Sequence, residues 1–153
     1  MANTYTQLYV QIVFAVKSRH NLIHKDIRDE LEKYICGIIK NNKSKPLAIY
    51  CNPDHTHILV GLHPEISVSE ITGDIKSSSS KWINENGKIR GKFHWQAGYG
   101  AFTYSKSQIA RVSNYILNQE KHHKKRSFKE EYLDILKKFE IDFDEKYLFE
   151  WVE

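Results

Sequence analysis

The sequence predicts an α+β domain built on a βαββαβ core, with an antiparallel sheet, an extra strand and C-terminal helices. Three observations lead to this prediction. Some segments alternate apolar and polar residues, as strands do; others carry apolar residues three and four apart, as amphipathic helices do; and the two kinds follow one another in this order. The 153 residues, 41% of them hydrophobic, are enough for one domain with its own core.

The first predicted element is a strand over residues 5–16, and the second is a helix over residues 25–42. One face of the strand carries Leu8, Val10, Ile12, Phe14 and Val16. The other face carries Tyr5, Gln7, Tyr9 and Gln11. We therefore expect a half-buried strand with an outward polar and aromatic face. The helix has one apolar stripe, made of Ile27, Leu31, Ile35, Ile38 and Ile39.

Two more strands are predicted over residues 46–51 and 56–63, joined by a turn at residues 52–54, Asn-Pro-Asp. In the second of these strands, apolar residues at 58, 60 and 62 alternate with the positions that include His55 and His57. Because successive side chains of a strand point to opposite faces, we expect both histidines to face away from the apolar side.

The second half of the chain predicts a helix, two short strands and two further helices. The first helix begins at Ser67, which has a glutamate three residues later, the spacing of a capping box. The strands cover residues 92–96 and 99–104. The last two helices begin at Ser105 and Ser127, each again with Gln or Glu three residues on. The tail from residue 139 shows little periodicity and is expected to be extended.

The first six elements match the ferredoxin-like βαββαβ arrangement, in which residues 92–96 form the fourth strand. The first and third strands are central in that topology. His55 and His57 are therefore expected in the middle of the sheet, beside the face that carries Gln7 and Gln11.

The histidine pair is a candidate metal site. Residues i and i+2 of a strand share a face, so both imidazoles could bind one ion. Since the chain has eight histidines, a chance pair of partly exposed histidines at a strand start remains the alternative. Three other classes with such pairs are excluded: metallo-β-lactamase-like hydrolases by the residues that follow, amidohydrolases by the chain length, and two-histidine phosphoesterases by the missing second motif. A third ligand must come from elsewhere.

Tyr115 and Gln119 are four residues apart and lie off the apolar stripe of the predicted helix, so they could approach the same point. An amide oxygen could serve as the third metal ligand, and a phenol could attack a phosphodiester held by the ion. A phenol with an ordinary pKa of about 10 needs activation, for which Arg111 or Lys121 are candidates. The alternative for Tyr115 is a core ring or a ring that stacks on a base.

The overall charge fits a nucleic-acid partner but does not require one. The net charge is +4 and the nine tyrosines and three tryptophans could stack on unpaired bases. Residues 121–126 form a basic run that is either a solvated helix end or a contact to a phosphate backbone. The candidate contacts are Arg111, Lys121, Lys124, Lys125 and Arg126. No signal peptide or long apolar segment is visible, so a cytoplasmic protein with no membrane partner is expected.

At these residues the chain resembles the single-tyrosine HUH transposases, the TnpA-like enzymes of bacterial insertion sequences, and their repeat-associated relatives. The resemblance rests on residues 53–57, Pro-Asp-His-Thr-His, and residues 115–119, Tyr-Ile-Leu-Asn-Gln. Thr56 replaces the middle hydrophobic residue of the family motif. The resemblance implies one transposase domain over residues 1–153, with a core over about 4–131 and a C-terminal helix and tail over 127–153.

The resemblance also implies a mechanism and partners. Tyr115 would be the nucleophile, and His55, His57 and Gln119 would hold Mg²⁺ or Mn²⁺. Imidazole ligands by themselves favour Mn²⁺ or Zn²⁺ over Mg²⁺. The substrate would be single-stranded DNA with hairpins at the ends of the element, cleaved through a 5′-phosphotyrosine link. Two chains would form a homodimer in which the tyrosine helix of one chain meets the histidines of the other.

Two alternatives to a mobile-element transposase stay open. One is a domesticated endonuclease or strand transferase of the same fold that processes repeat hairpins. The other is a non-catalytic module that binds single-stranded nucleic acid and stacks bases on Tyr5, Tyr9 and Trp95. The presence of both histidines, Tyr115 and Gln119 argues against the second alternative.

Overall fold

The structure, a computed structural model, describes residues 3–17 and 21–148. Its single antiparallel sheet has four strands in the order β2-β3-β1-β4, so β3 and β1 are central. The strands are β1 (Tyr9–Ala15), β2 (Lys45–Cys51), β3 (His55–Gly61) and β4 (Gly100–Tyr104). The predicted α+β class with a ferredoxin-like core is confirmed, and the histidines lie on a central strand.

In the described part of the chain, five α-helices cover the two faces of the sheet. They are α1 (Lys25–Asn41), α2 (Val68–Glu85), α3 (Ile109–Leu117), α4 (Gln119–His123) and α5 (Phe128–Lys138). The apolar stripes of α1 and α2 pack on one face, whereas α3 and α5 pack on the other. The predicted caps form at Ser67 and Ser127, whose side chains accept the backbone N–H three residues later. Within the described residues, no helix has the length and apolarity needed to cross a membrane.

The first strand spans only Tyr9–Ala15, and the expected outward polar face holds at Tyr5, which is 88% exposed, but is wrong at Gln11. Gln11 is only 1% exposed, and His55 and His57 are 1% and 0% exposed. The cause is the second layer of helices, which covers this face as α1 and α2 cover the other. Buried polar groups are tolerated when they are hydrogen-bonded: Gln11 bonds to His57, and the two histidines bond to residues of that layer.

The fourth strand is residues 100–104, which the sequence predicted as an extra strand, and residues 92–96 do not form a strand. They make an isolated bridge between Trp95 and Val16. The reason is that Asn84 takes the hydrogen-bonding groups of Phe93, accepting from its N–H at 2.7 Å and donating to its carbonyl at 3.0 Å. These are groups that a longer strand pairing would need.

The single helix predicted from Ser105 is divided. A short 3₁₀ helix at Lys106–Gln108, with the expected capping box at Ser105, leads into α3. The helix then breaks at Asn118, whose side-chain amide donates to the carbonyl of Asn114 at 2.7 Å. Such side-chain bonds to the backbone compete with helical bonds. Tyr115 and Gln119 therefore belong to two helices, α3 and α4.

The tail is irregular and, in its described part, includes a short 3₁₀ helix at Glu145–Tyr147. Phe139 anchors its start, with its ring 5.0 Å from that of Phe102 and 5.5 Å from that of Tyr104. The end of the predicted tail, residues 149–153, lies outside the described residues.

Gly100 lets α5 lie close to the sheet. A Cβ atom added at this position would clash with the hydroxyl of Tyr132 and would lie 3.0 Å from the ring of Phe102. Tyr132 belongs to α5 and is only 4% exposed, so its ring has little room to move. The absence of a side chain at residue 100 therefore sets the distance between the sheet and the helix that carries Glu131.

We expect Gly100→Ala to lower the free energy of unfolding by about 1–3 kcal/mol, because the added methyl group overpacks the contact with α5. The matched control is Gly73→Ala in α2, where the added methyl group meets no atom within 4 Å. That change should raise the free energy of unfolding by up to about 1 kcal/mol through helix propensity. Chemical denaturation measures both, and equal effects of the two variants would contradict this account of Gly100.

Candidate metal and tyrosine site

His55 and His57 point from β3 into the layer of α3, α4 and α5. The ring of His55 stacks on that of Phe128, with centroids 3.8 Å apart. Its Nδ1 lies 2.6 Å from Oδ1 of Asp54, so Nδ1–H donates to this carboxylate and Nε2 faces inward. Such a carboxylate partner is the usual support of a metal-binding histidine.

Three more side chains reach the same point from α4 and α5. Nε2 of His123 lies 3.1 Å from Nε2 of His55 and 2.9 Å from Oε1 of Gln119. Nδ1 of His123 donates to the carbonyl of Arg126 at 3.1 Å, which aims Nε2 at the cluster. Oε1 of Glu131 lies 2.9 Å from Nε2 of His57 and 3.2 Å from Nε2 of His123.

These groups form a compact set of possible metal ligands. One ligand atom each from His55, His57, His123 and Glu131 lies within 4.8 Å of the others. The oxygen of Gln119 adds a fifth donor beside them. Three imidazoles, a carboxylate and an amide oxygen suit Mn²⁺ or Zn²⁺ better than Mg²⁺. The residues therefore fit a divalent ion.

The charge balance of the cluster depends on Glu131. Burial alone would raise the pKa of this carboxyl group, but the three surrounding histidines, His57 above all, favour its ionised form and hold the pKa far below its usual range. Burial lowers the pKa of His57 despite the nearby carboxylate. For His55 burial acts in the same direction, but the bonds to Asp54 and Glu131 outweigh it and raise the pKa. A carboxylate thus stays ionised beside a neutral imidazole, the forms that bind metal.

Tyr115 joins the cluster through Glu131 of the same chain. Its hydroxyl donates to Oε2 of Glu131, and Nη2 of Arg126 donates to the hydroxyl oxygen at 3.3 Å. Its ring lies 6.1 Å from that of His57 and stacks on that of His122 at 4.6 Å. Burial first, and then the charge of Glu131, raise the pKa of this phenol.

The four predicted site residues come together in one chain. Gln119 is fully buried and donates to Oε2 of Glu131 at 3.0 Å, the same oxygen that accepts from Tyr115. Of the predicted basic contacts, Arg126 is half-buried and reaches Tyr115. The others lie exposed on the surface: Arg111, Lys121, Lys124 and Lys125. Arg126 therefore takes the place beside the phenol for which Arg111 or Lys121 were expected.

The sequence reasoning missed His123 and Glu131. The signal for Glu131 was its position, because residues 128, 131, 132, 135 and 136 form one apolar stripe and the glutamate interrupts it. A charged residue on a core-facing stripe is rarely buried without a partner. His123 lies four residues after Gln119, the spacing of one helical face, and it belongs to the basic run at residues 121–126.

An open cavity of about 320 Å³ borders the cluster. His123 and Asp54 line it on the side of the site, and Arg126 and Lys129 add positive charge. The cavity gives an ion or a phosphate group a route to the ligands from solvent.

Comparison with known proteins agrees with the fold and the motifs. The protein family described as "Transposase IS200 like" matches residues 4–119. The ISDra2 transposase TnpA of Deinococcus radiodurans is 24% identical over 118 residues, which are 74% of this chain and 84% of that protein. The transposase for insertion sequence element IS200 of Salmonella typhimurium is 28% identical over 124 residues, 78% of this chain and 81% of that protein.

Two solved structures share the fold. A putative transposase from Deinococcus radiodurans superposes with a TM-score of 0.62 at 22% identity, covering 78% of this chain and 95% of that one. A REP-associated tyrosine transposase bound to a REP hairpin gives 0.57 at 14% identity, covering 80% and 73%. Because the family match covers most of the sequence and carries both the histidine pair and Tyr115, this chain belongs to the IS200-like transposase family.

Proposed function

We propose that this protein is a metal-dependent DNA transposase that cleaves and rejoins single-stranded DNA through a tyrosine–phosphate intermediate. The observation that carries the proposal is that Glu131 joins Tyr115 to the histidine cluster: one carboxylate oxygen accepts from the phenol and the other contacts the imidazoles. A hydroxyl group beside a buried set of metal ligands is the arrangement that metal-assisted nucleophilic attack requires.

In this proposal His55, His57 and Gln119 hold Mg²⁺ or Mn²⁺, and His123 and Glu131 complete the ligand set. The bound ion supplies Lewis-acid chemistry at a phosphate oxygen. Asp54 orients His55, and the carbonyl of Arg126 orients His123, so that both present Nε2. The helices that cover the sheet exclude water from the ligands, which are almost fully buried apart from His123.

Tyr115 is the proposed nucleophile. Its oxygen bonds to the scissile phosphorus, the bond from phosphorus to the 3′-oxygen breaks, and the phenolic proton ends on that oxygen. The products are a 5′-phosphotyrosine link and a free 3′-hydroxyl, which can attack the link in reverse and rejoin the strands. Arg126 is placed to stabilise the phenolate and the phosphate, since its guanidinium already contacts the hydroxyl.

The proposed substrate is single-stranded DNA with hairpins at the ends of the element. A relative of the same fold is described as bound to a REP hairpin. The exposed cations Arg111, Lys121, Lys124 and Lys125 could contact the phosphate backbone around the site. We favour an insertion-sequence transposase over a domesticated repeat-processing enzyme, because the sequence relatives are transposases of insertion elements. Hairpins in the DNA beside the gene would distinguish the two.

We also propose that the whole chain acts as one cytoplasmic transposase domain and that two chains form a homodimer. The contacts of Tyr115 support sites that each lie within one chain, because the tyrosine reaches Glu131 and the ring of His57 without a partner. The resemblance implies instead that the tyrosine helix of one chain meets the histidines of the other, and mixing two inactive variants distinguishes the two arrangements.

We expect Mn²⁺ binding to disappear in the His55→Ala, His57→Ala double variant, because two ligands are lost. Gln119→Ala should weaken binding by about 10–100-fold without abolishing it, because four donors remain. Isothermal titration calorimetry measures the affinities, and circular dichroism checks that each variant folds. The matched control is His94→Ala. His94 is exposed and distant in sequence from His55 and His57, so this variant should bind Mn²⁺ normally. Unchanged binding by the double variant would refute the ligand assignment.

Tyr115→Phe should abolish the covalent protein–DNA adduct and strand cleavage on hairpin-bearing oligonucleotides with Mn²⁺. The change removes one oxygen and keeps the ring, so folding and Mn²⁺ binding should be largely retained. The adduct is read as a shifted band on a denaturing gel. Tyr99→Phe, at a tyrosine that is 40% exposed, is the control and should form the adduct normally. An adduct formed by Tyr115→Phe would assign the nucleophile elsewhere.

A mixture of Tyr115→Phe and His57→Ala chains should remain inactive, because each chain builds its own site and neither variant carries a complete one. The measurement is adduct formation after the two chains are unfolded and refolded together. Mixtures of each variant with the wild-type chain control for loss of protein during refolding. Recovery of activity in the mixture of the two variants would instead show that the tyrosine of one chain serves the histidines of another.

A further inference from the structure

The three histidines of the cluster are not held alike. Nδ1 of His55 faces a carboxylate and Nδ1 of His123 faces a backbone carbonyl, both of which accept a proton. In contrast, Nδ1 of His57 lies 2.9 Å from Nε2 of Gln11, an amide nitrogen that can only donate. The ring proton of neutral His57 is therefore on Nε2, from which it is donated to Glu131 at 2.9 Å.

A chain of hydrogen bonds fixes this arrangement. The hydroxyl of Tyr104 donates to Oε1 of Gln11 at 2.6 Å, Gln11 donates to His57, and His57 donates to Glu131. Burial raises the pKa of Tyr104 to about 12, so its hydroxyl keeps the proton that it donates. Every donor in this series of hydrogen bonds points toward the carboxylate of Glu131.

The pairing of the strands brings Gln11, His57 and Tyr104 together. Gln11 on β1 pairs with Leu59 on β3 and with Phe102 on β4. His57 and Tyr104 are each two residues from those partners, so both are diagonal neighbours of Gln11 on the same face. The amide of Gln11, which is 1% exposed, is thus confined between two fixed groups.

The arrangement conflicts with metal binding at His57. A ring nitrogen that carries a proton has no lone pair to offer an ion, and metal-bound histidines donate their other N–H to an acceptor. We propose that Gln11 is the positioning residue of His57 and that its side-chain amide turns over when a divalent ion binds. This inference rests on the metal site of the proposed function.

After the turn, Oε1 of Gln11 accepts from Nδ1–H of His57 and its NH₂ group donates to the hydroxyl oxygen of Tyr104. The proton on Nε2 is released to solvent and Nδ1 takes up one from solvent, so the ring stays neutral and the exchange balances. Tyr104 changes from donor to acceptor. The role proposed for Tyr104 is to hold the amide of Gln11 in either orientation. This role differs from that of Tyr115, which is the nucleophile.

The first test uses two variants of Gln11 with opposite expectations. Gln11→Leu removes the acceptor, so Mn²⁺ affinity measured by calorimetry should fall by about 10–100-fold. Gln11→Glu always presents acceptor oxygens to Nδ1–H, so it should bind Mn²⁺ at least as tightly as the wild-type protein. A merely structural role predicts that both variants lose affinity together. Ser79→Ala removes a buried hydroxyl that accepts from Trp95 beneath the other face of the sheet, and it should leave the affinity unchanged.

The second test reads the proton on His57 directly. Nuclear magnetic resonance of the ¹⁵N-labelled imidazoles should show Nε2–H in the metal-free wild-type protein and Nδ1–H with Zn²⁺ as a diamagnetic probe. Tyr104→Phe should increase the Nδ1–H population of the metal-free protein, because the amide is no longer held in one orientation. His57 with Nδ1–H before metal is added, or equal Mn²⁺ affinities of the two Gln11 variants, would overturn the inference.

The outcomes also separate this inference from the proposed function. A wild-type protein that binds neither Mn²⁺ nor Zn²⁺ would overturn both. Wild-type binding that Gln11→Leu leaves unchanged would overturn the role of Gln11 and leave the metal site and Tyr115 in place.

Discussion

The buried carboxylate of Glu131 is the interaction on which the site depends. It is fully buried; one oxygen accepts hydrogen bonds from Tyr115 and Gln119, and the other accepts one from His57 and lies 3.2 Å from Nε2 of His123. A buried charge is tolerated only with such partners, and removal of one member of a buried ion pair typically costs about 3–5 kcal/mol. Because the partners come from β3, α3 and α4, one charge ties three elements to α5.

The break at Asn118 explains how two helices serve one carboxylate. In a continuous helix, Tyr115 and Gln119 would lie one turn apart on a single face. With the chain divided between α3 and α4, Gln119 is fully buried while the tyrosine remains partly exposed, and both still reach the same oxygen of Glu131. The family match ends at residue 119, so the helix that supplies this carboxylate lies beyond it.

The sequence predicted the features that depend on residues close together along the chain. Alternation placed His55 and His57 on one face of a strand, and the capping residues placed the starts of the helices, because both depend on neighbours in sequence. The burial of Gln11 could not be read in this way, since it depends on helices about a hundred residues away that cover its face. The same holds for the two hydrogen bonds from the side chain of Asn84 to the backbone of Phe93, which prevent the strand that was predicted over residues 92–96. Glu131 was visible only as an acidic residue on an apolar stripe.

The hydrogen bonds of Glu131 bear on whether the protein folds before or after it binds the ion. Many small metalloproteins cannot fold until the ion arrives, because their ligands repel one another or lack partners without it. Here the negative carboxylate of Glu131 lies among three imidazoles and accepts hydrogen bonds from Tyr115, Gln119 and His57 of its own chain. We therefore expect the chain to fold before it binds the ion, so that the supply of the ion would limit activity rather than folding.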